Sequence, residues 1–113
     1  MNSTGISELP QIAAQGNNVY VVWQDNTNGN YDIFFKSSSS NGTKFKSLRN
    51  LSNNSGTSEF AQIAASSSDV YIIWIDNETS IDRIFFKHGQ KDSATGSLRF
   101  GSLNELHHSG EVS

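Results

Sequence analysis

The residues able to do chemistry in this chain come in pairs. Asp25-Asn26 recurs as Asp76-Asn77, each pair closing an apolar run. A carboxylate beside an amide carbonyl, repeated, could offer hard oxygen ligands to calcium or hydrogen-bond a glycan. The same dipeptide also makes an Asx turn, with its side chains bonding the local backbone where a strand reverses, and that reading is preferred. Gln11 and Gln62 each open a Gln-Ile-Ala-Ala segment. Repeated amides of this kind could line a channel or could pair with neighbouring strand backbone, and both readings stand. Glu8 and Glu59 precede them at equivalent positions. They read as solvated loop carboxylates, with an acidic rim alongside Asp25 and Asp76 as the functional alternative. Trp23, Trp74, Tyr20 and Tyr71 could stack on sugars, but their apolar neighbours assign them to packing.

Other chemistry is excluded by what is missing. The chain has no Cys, which removes a disulfide scaffold, a thiolate zinc site and a cysteine nucleophile. His107 and His108 are adjacent, so on a strand they point to opposite faces, and His88 lies apart. No metal site and no cofactor are expected. Net charge is −3, which speaks against a non-specific nucleic-acid binder. No apolar run approaches the roughly 20 residues of a membrane helix. Met1 to Gly5 carries neither a basic nor an apolar leader region, so no signal peptide is visible and the compartment stays open. Sequons at Asn2, Asn41, Asn50, Asn53 and Asn77 arise freely in so Asn- and Ser-rich a chain.

The elements that must position these pairs are themselves repeated. Gln11 to Ala14, Val19 to Asn26 and Ile33 to Lys36 recur as Gln62 to Ala65, Val70 to Asn77 and Ile84 to Lys87, at a step of about 51 residues, within the period range of propeller blades. Phe45 to Leu51 matches Phe100 to Leu106 at a step of about 55, so the second copy carries a short insertion, expected in the loop Gln90 to Gly96. The chain therefore divides into two units, residues 1–58 and 59–113.

Each copy reads as four short strands: Gln11 to Gln15, Val19 to Gln24, Tyr31 to Ser37 and Ser47 to Ser52, with Gly/Asn/Ser turns between them. The second strand is apolar on both faces. Val19, Val21 and Trp23 oppose Tyr20 and Val22, and Val70, Ile72 and Trp74 oppose Tyr71, Ile73 and Ile75. A sheet open to water on one side would alternate instead. With Phe34, Phe35, Phe85 and Phe86 on the third strands, these residues predict sheets covered on both faces, the arrangement of blades in a propeller. Pro10 is expected at a strand start, where its missing N–H does least harm.

The pattern Pro-Gln-Ile-Ala-Ala, Asn-Val-Tyr-Val-Val-Trp-Gln-Asp, Asp-Ile-Phe-Phe-Lys and Leu-Ser-Asn-Asn resembles the blade repeat of sialidase-like (BNR or Asp-box) β-propeller proteins, many of them uncharacterised and several archaeal. Ser38-Ser39-Ser40-Asn41-Gly42-Thr43-Lys44-Phe45 keeps the Ser, Gly and aromatic of the Asp-box, with Ser40 for its Asp and Lys44 for its Thr. The resemblance implies an all-β propeller and an extracellular or cell-surface setting. It does not carry over sialidase chemistry. That needs an arginine triad and an activated Tyr–Glu pair, whereas Arg49, Arg83 and Arg99 sit at non-equivalent positions.

Two blades cannot close a ring, and each end would expose an apolar face. The expectation is a homo-oligomer joined head to tail. A homotrimer of six blades is favoured, with a tetramer of eight next. The initial Met and the near-integral two repeats favour a self-contained unit, with a fragment of a longer surface protein as runner-up. The expected function is a non-enzymatic scaffold whose loops or channel take a glycan or protein ligand. A sialidase-like glycan-binding or hydrolase module is the alternative.

Overall fold

The computed structural model describes residues 5–52, 56–77, 82–92 and 97–108. They form nine strands: β1 Ser7–Gln15, β2 Asn18–Asp25, β3 Asp32–Ser38, β4 Arg49–Asn50, β5 Ser58–Ser66, β6 Asp69–Asp76, β7 Arg83–Lys91, β8 Leu98–Phe100 and β9 Asn104–His108. The fold is all-β, in two antiparallel sheets. The first runs β1-β2-β3-β4 in sequence order; the second runs β5-β6-β7-β8, with β9 also on β7. β-Branched and aromatic residues dominate β2 and β6, and two-residue turns join β1 to β2 and β5 to β6, so these neighbours in sequence pair in space.

The repeat is conserved in register. Val22 faces Phe35 and Trp23 faces Phe34; in the second sheet Ile73 faces Phe86 and Trp74 faces Phe85. Both β1 and β5 carry a bulge, between Glu8 and Gln11 and between Glu59 and Gln62. Leu9 and Phe60 take φ of 54° and 58° there. Pro10 therefore lies inside a nine-residue strand, in a bulge that leaves its position without a ladder bond, rather than at the strand start.

The second sheet has five strands where four were expected. β9 is the repeat-equivalent of β4: Asn50 pairs with Phe34, and Glu105 with Phe85. The insertion is not a plain loop. Gln90 and Lys91 continue β7, and Leu98 to Phe100 return beside them as β8. Ser93 to Gly96 lie outside the described residues.

One core joins the sheets. Tyr20, Val22, Ile33, Phe35 and Leu51 of the first pack on Ala61, Val70, Ile72, Trp74 and Leu98 of the second. The inner face of the first sheet is thus the Tyr20/Val22 side. That of the second is the Val70/Ile72/Trp74 side, the opposite side of the repeat.

Candidate assembly interface

The Asp-Asn pairs act on the chain itself. Asp25 accepts from the Ser7 hydroxyl and from both the backbone N–H (2.7 Å) and hydroxyl of Thr27. Asp76 accepts from the Ser58 hydroxyl at 2.5 Å. Asn26 Oδ1 accepts the Ile6 N–H at 2.7 Å while its own N–H bonds the Ile6 carbonyl; Asn77 and Thr57 repeat this at 2.9 and 3.0 Å. Each dipeptide clips the entering end of β1 or β5 onto β2 or β6. Asp25 and Asp76 are buried, at 3% and 0% exposure; the Asp25 oxygens serve the turn at Thr27 and β1, and Asp76 takes the Ser58 hydroxyl of β5. Gln11 and Gln62 are exposed on β1 and β5. Among the described residues no group of three or more His, Asp or Glu converges. The His107 and His108 side chains, and Asn2 and Asn53, lie outside the described residues.

The joint between the sheets contains polar ties that the repeat did not predict. Gln24, fully buried, accepts the Phe60 N–H at 2.9 Å and donates to Glu8 at 3.0 Å. Ser58 N–H donates to the Tyr31 carbonyl at 2.8 Å, and Asn30 Nδ2 to the Gly56 carbonyl at 2.6 Å. The visible signal was a glutamine in an apolar strand where the other copy has Ile75. Tyr31 hydrogen-bonds Glu8, and that bond holds its phenol above the ordinary value. Burial and the charges of Glu8, Glu59 and Asp25 add to the shift.

The insertion straps the joint. Leu98 is buried, and Phe100 meets Phe35 edge-on at 5.1 Å. The Arg49 guanidinium lies 5.6 Å from the Phe100 ring centroid and donates to the Leu98 carbonyl at 2.8 Å. Lys91 Nζ donates to Asn18 at 2.7 Å. The arginines have separate tasks. Arg49 grips the strap, Arg83 pairs with Glu105 at 3.1 Å, and Arg99 is exposed on β8.

The aromatic pairs define what is left open. Tyr20–Phe35 (6.2 Å between centroids) and Trp74–Phe85 (6.3 Å) are the cross-strand pairs on the two sides of the joint. Their repeat-equivalents, Tyr71–Phe86 and Trp23–Phe34 (both 6.3 Å), lie on the outer faces. Tyr71 and Ile73 are each 38% exposed and Ile12 68%. Val19, Val21, Phe34 and Phe86 are half-buried. A shallow hollow of about 190 Å³ lies among Gln62, Ala64, Tyr71 and Ile73, and one of about 340 Å³ beside Trp23, Pro10, Glu8 and Ser7. Of the aromatics considered for sugar stacking, Tyr20 and Trp74 are therefore enclosed. Tyr71 is open, and Trp23, at the wall of the larger hollow, is 8% exposed. No family model, curated protein or solved structure matches the chain.

Proposed function

We propose that the chain is a two-blade building block that closes a β-propeller ring with copies of itself. The ring would serve as a non-enzymatic binding scaffold. One observation carries this reading. The two outer faces are the repeat-equivalents of the two sides of the internal joint. The Tyr71–Phe86 face matches the Tyr20–Phe35 side, and the Trp23–Phe34 face matches the Trp74–Phe85 side. Surfaces that differ from each other but fit head to tail generate a ring when the rotation closes. Three copies give six blades and four give eight; the trimer is preferred from the sialidase-like resemblance. That resemblance is supported by the turn after β3. There the Ser38 hydroxyl accepts the Ser40 and Gly42 N–H groups at 3.2 and 3.0 Å, and Ser40 accepts the Lys44 N–H at 3.0 Å. Serines thus hold the box turn without its aspartate. The glycoside-acting alternative would have to use Tyr31 beside Glu8, and the arginines such chemistry needs are spread over β4, β7 and β8, which weighs against it. The ligand would be a glycan or protein segment reaching the loops or channel.

The test is solution mass by light scattering across a dilution series. A discrete species at three times 12.4 kDa is expected. A folded monomer at every concentration would overturn the reading.

A further inference from the structure

We infer that the seam between copies repeats the internal joint residue for residue but lacks its polar clamps, so that Ile75 of one copy sits against Leu9 of the next. This rests on the ring reading and deepens it by assigning the contact. The internal joint supplies the template. There Gln24 meets the bulge at Phe60, the Tyr31 carbonyl takes the Ser58 N–H, Arg49 takes the Leu98 carbonyl, and Lys91 takes Asn18. A shift of one repeat converts each tie. Ile75 stands for Gln24 and Leu9 for Phe60, at bulges with nearly the same φ of 54° and 58°. Asp82 stands for Tyr31 and Ser7 for Ser58, so their backbone bond can be kept whatever the side chains. Asn104 stands for Arg49, opposite a first blade that has no β8. Ser40 stands for Lys91, opposite Asp69 in place of Asn18.

The socket that receives Ile75 and Asp82 is already formed. It is the hollow walled by Trp23, Pro10, Glu8 and Ser7. At the equivalent place inside the chain Gln24 takes the Phe60 N–H and the Tyr31 carbonyl takes the Ser58 N–H. The seam keeps the apolar surface and a backbone bond and loses the Gln24, Arg49 and Lys91 ties. It is therefore the weaker joint, and a diluted ring separates into whole chains with their own two sheets still joined.

The distinguishing variant is Ile75→Gln, which copies the Gln24 clamp into the seam. If the register is right, the new amide meets the Leu9 N–H, and that one net hydrogen bond offsets about fivefold of the loosening caused by losing the isoleucine contact. Ile75→Ala loosens the seam without that offset. Dissociation is followed by light scattering on dilution, with circular dichroism to confirm that both variants fold. A second measurement needs no gain of affinity: Ser7→Cys/Asp82→Cys should give a reducible covalent oligomer, while each single variant gives none. If the native chain assembles but Ile75→Gln loosens it like Ile75→Ala and the cysteine pair stays unlinked, the assigned register is wrong and the ring reading survives. If the native chain does not assemble, both fall.

Discussion

Gly16 and Ser67 occupy the same turn position in the two copies, with φ of 60° and 40°. Glycine takes this region freely, whereas a side chain pays for it in steric contact with the following carbonyl. Ser67→Gly should stabilise the fold by about 0.5–1 kcal/mol, less than the full steric cost because glycine also frees the unfolded chain. Urea denaturation reads this directly, and an unchanged midpoint would mean that the strain is relieved elsewhere. The tyrosines give a pH prediction. Tyr31 is raised by its bond to Glu8, and Tyr20 by burial. Above the ordinary phenol value of 10.0 the unfolded chain loses protons that the folded chain still holds. Stability from these groups is therefore complete below that pH and declines as pH rises through the folded values. Lys87, lowered by burial, works in the opposite sense near the same range, so the clean readout is phenolate absorbance. Tyr31→Phe should remove one late-titrating phenol from the native titration curve.

At the scale of the element, β8 is the part that blade counting could not supply. Its fit depends on Gly89, where a Cβ would stand 2.8 Å from the Phe100 ring. Phe100→Ala should cost about 2 kcal/mol, below the usual range for a core Phe because the ring is only half-buried. Gly89→Ala should also destabilise, through the clash. In the double variant the clash disappears with the ring, so the two costs must fall short of additive; additive costs would mean that Gly89 matters for another reason. The repeat was legible from sequence identity, and the central hairpins and the packed face of β2 and β6 from their apolar runs; the covering expected on the second face is not supplied within the chain, where Tyr71 and Ile73 stand exposed. The bulges at Leu9 and Phe60 were not legible, since a bulge shows only as a shift of register against a partner strand. The insertion read as the polar loop Gln90 to Gly96 and Phe100 as the counterpart of Phe45; that Leu98 and Phe100 pack on the other sheet was not legible, because it shows only in contacts between the sheets. Asp25-Asn26 was legible as a turn, whereas the hold of Asn26 on Ile6 and of Asn77 on Thr57, twenty residues away, needed the fold; the residues after Asn77 lie outside the described ones.

The whole molecule poses a question of direction. A contact between two identical outer faces would make a two-fold dimer and stop, whereas unlike faces meeting head to tail continue to a ring. Charged substitutions placed on one face at a time separate these cases. Val21→Asp spoils the Trp23–Phe34 face, and Ile73→Asp spoils the Tyr71–Phe86 face. Val21 is half-buried and Ile73 38% exposed, and neither belongs to the joint between the sheets, so each chain should still fold. A buried, unpaired carboxylate in an apolar contact is strongly unfavourable. Each variant alone should therefore run as a monomer of 12.4 kDa, because every seam needs one face of each kind. Mixed in equal amounts, the two retain one good face apiece and should form a single seam, giving a species of twice that mass that cannot grow. If either variant alone forms a dimer, the contact is between like faces and no ring follows from it. If the mixture stays monomeric while the native chain assembles, these faces are not the ones that meet.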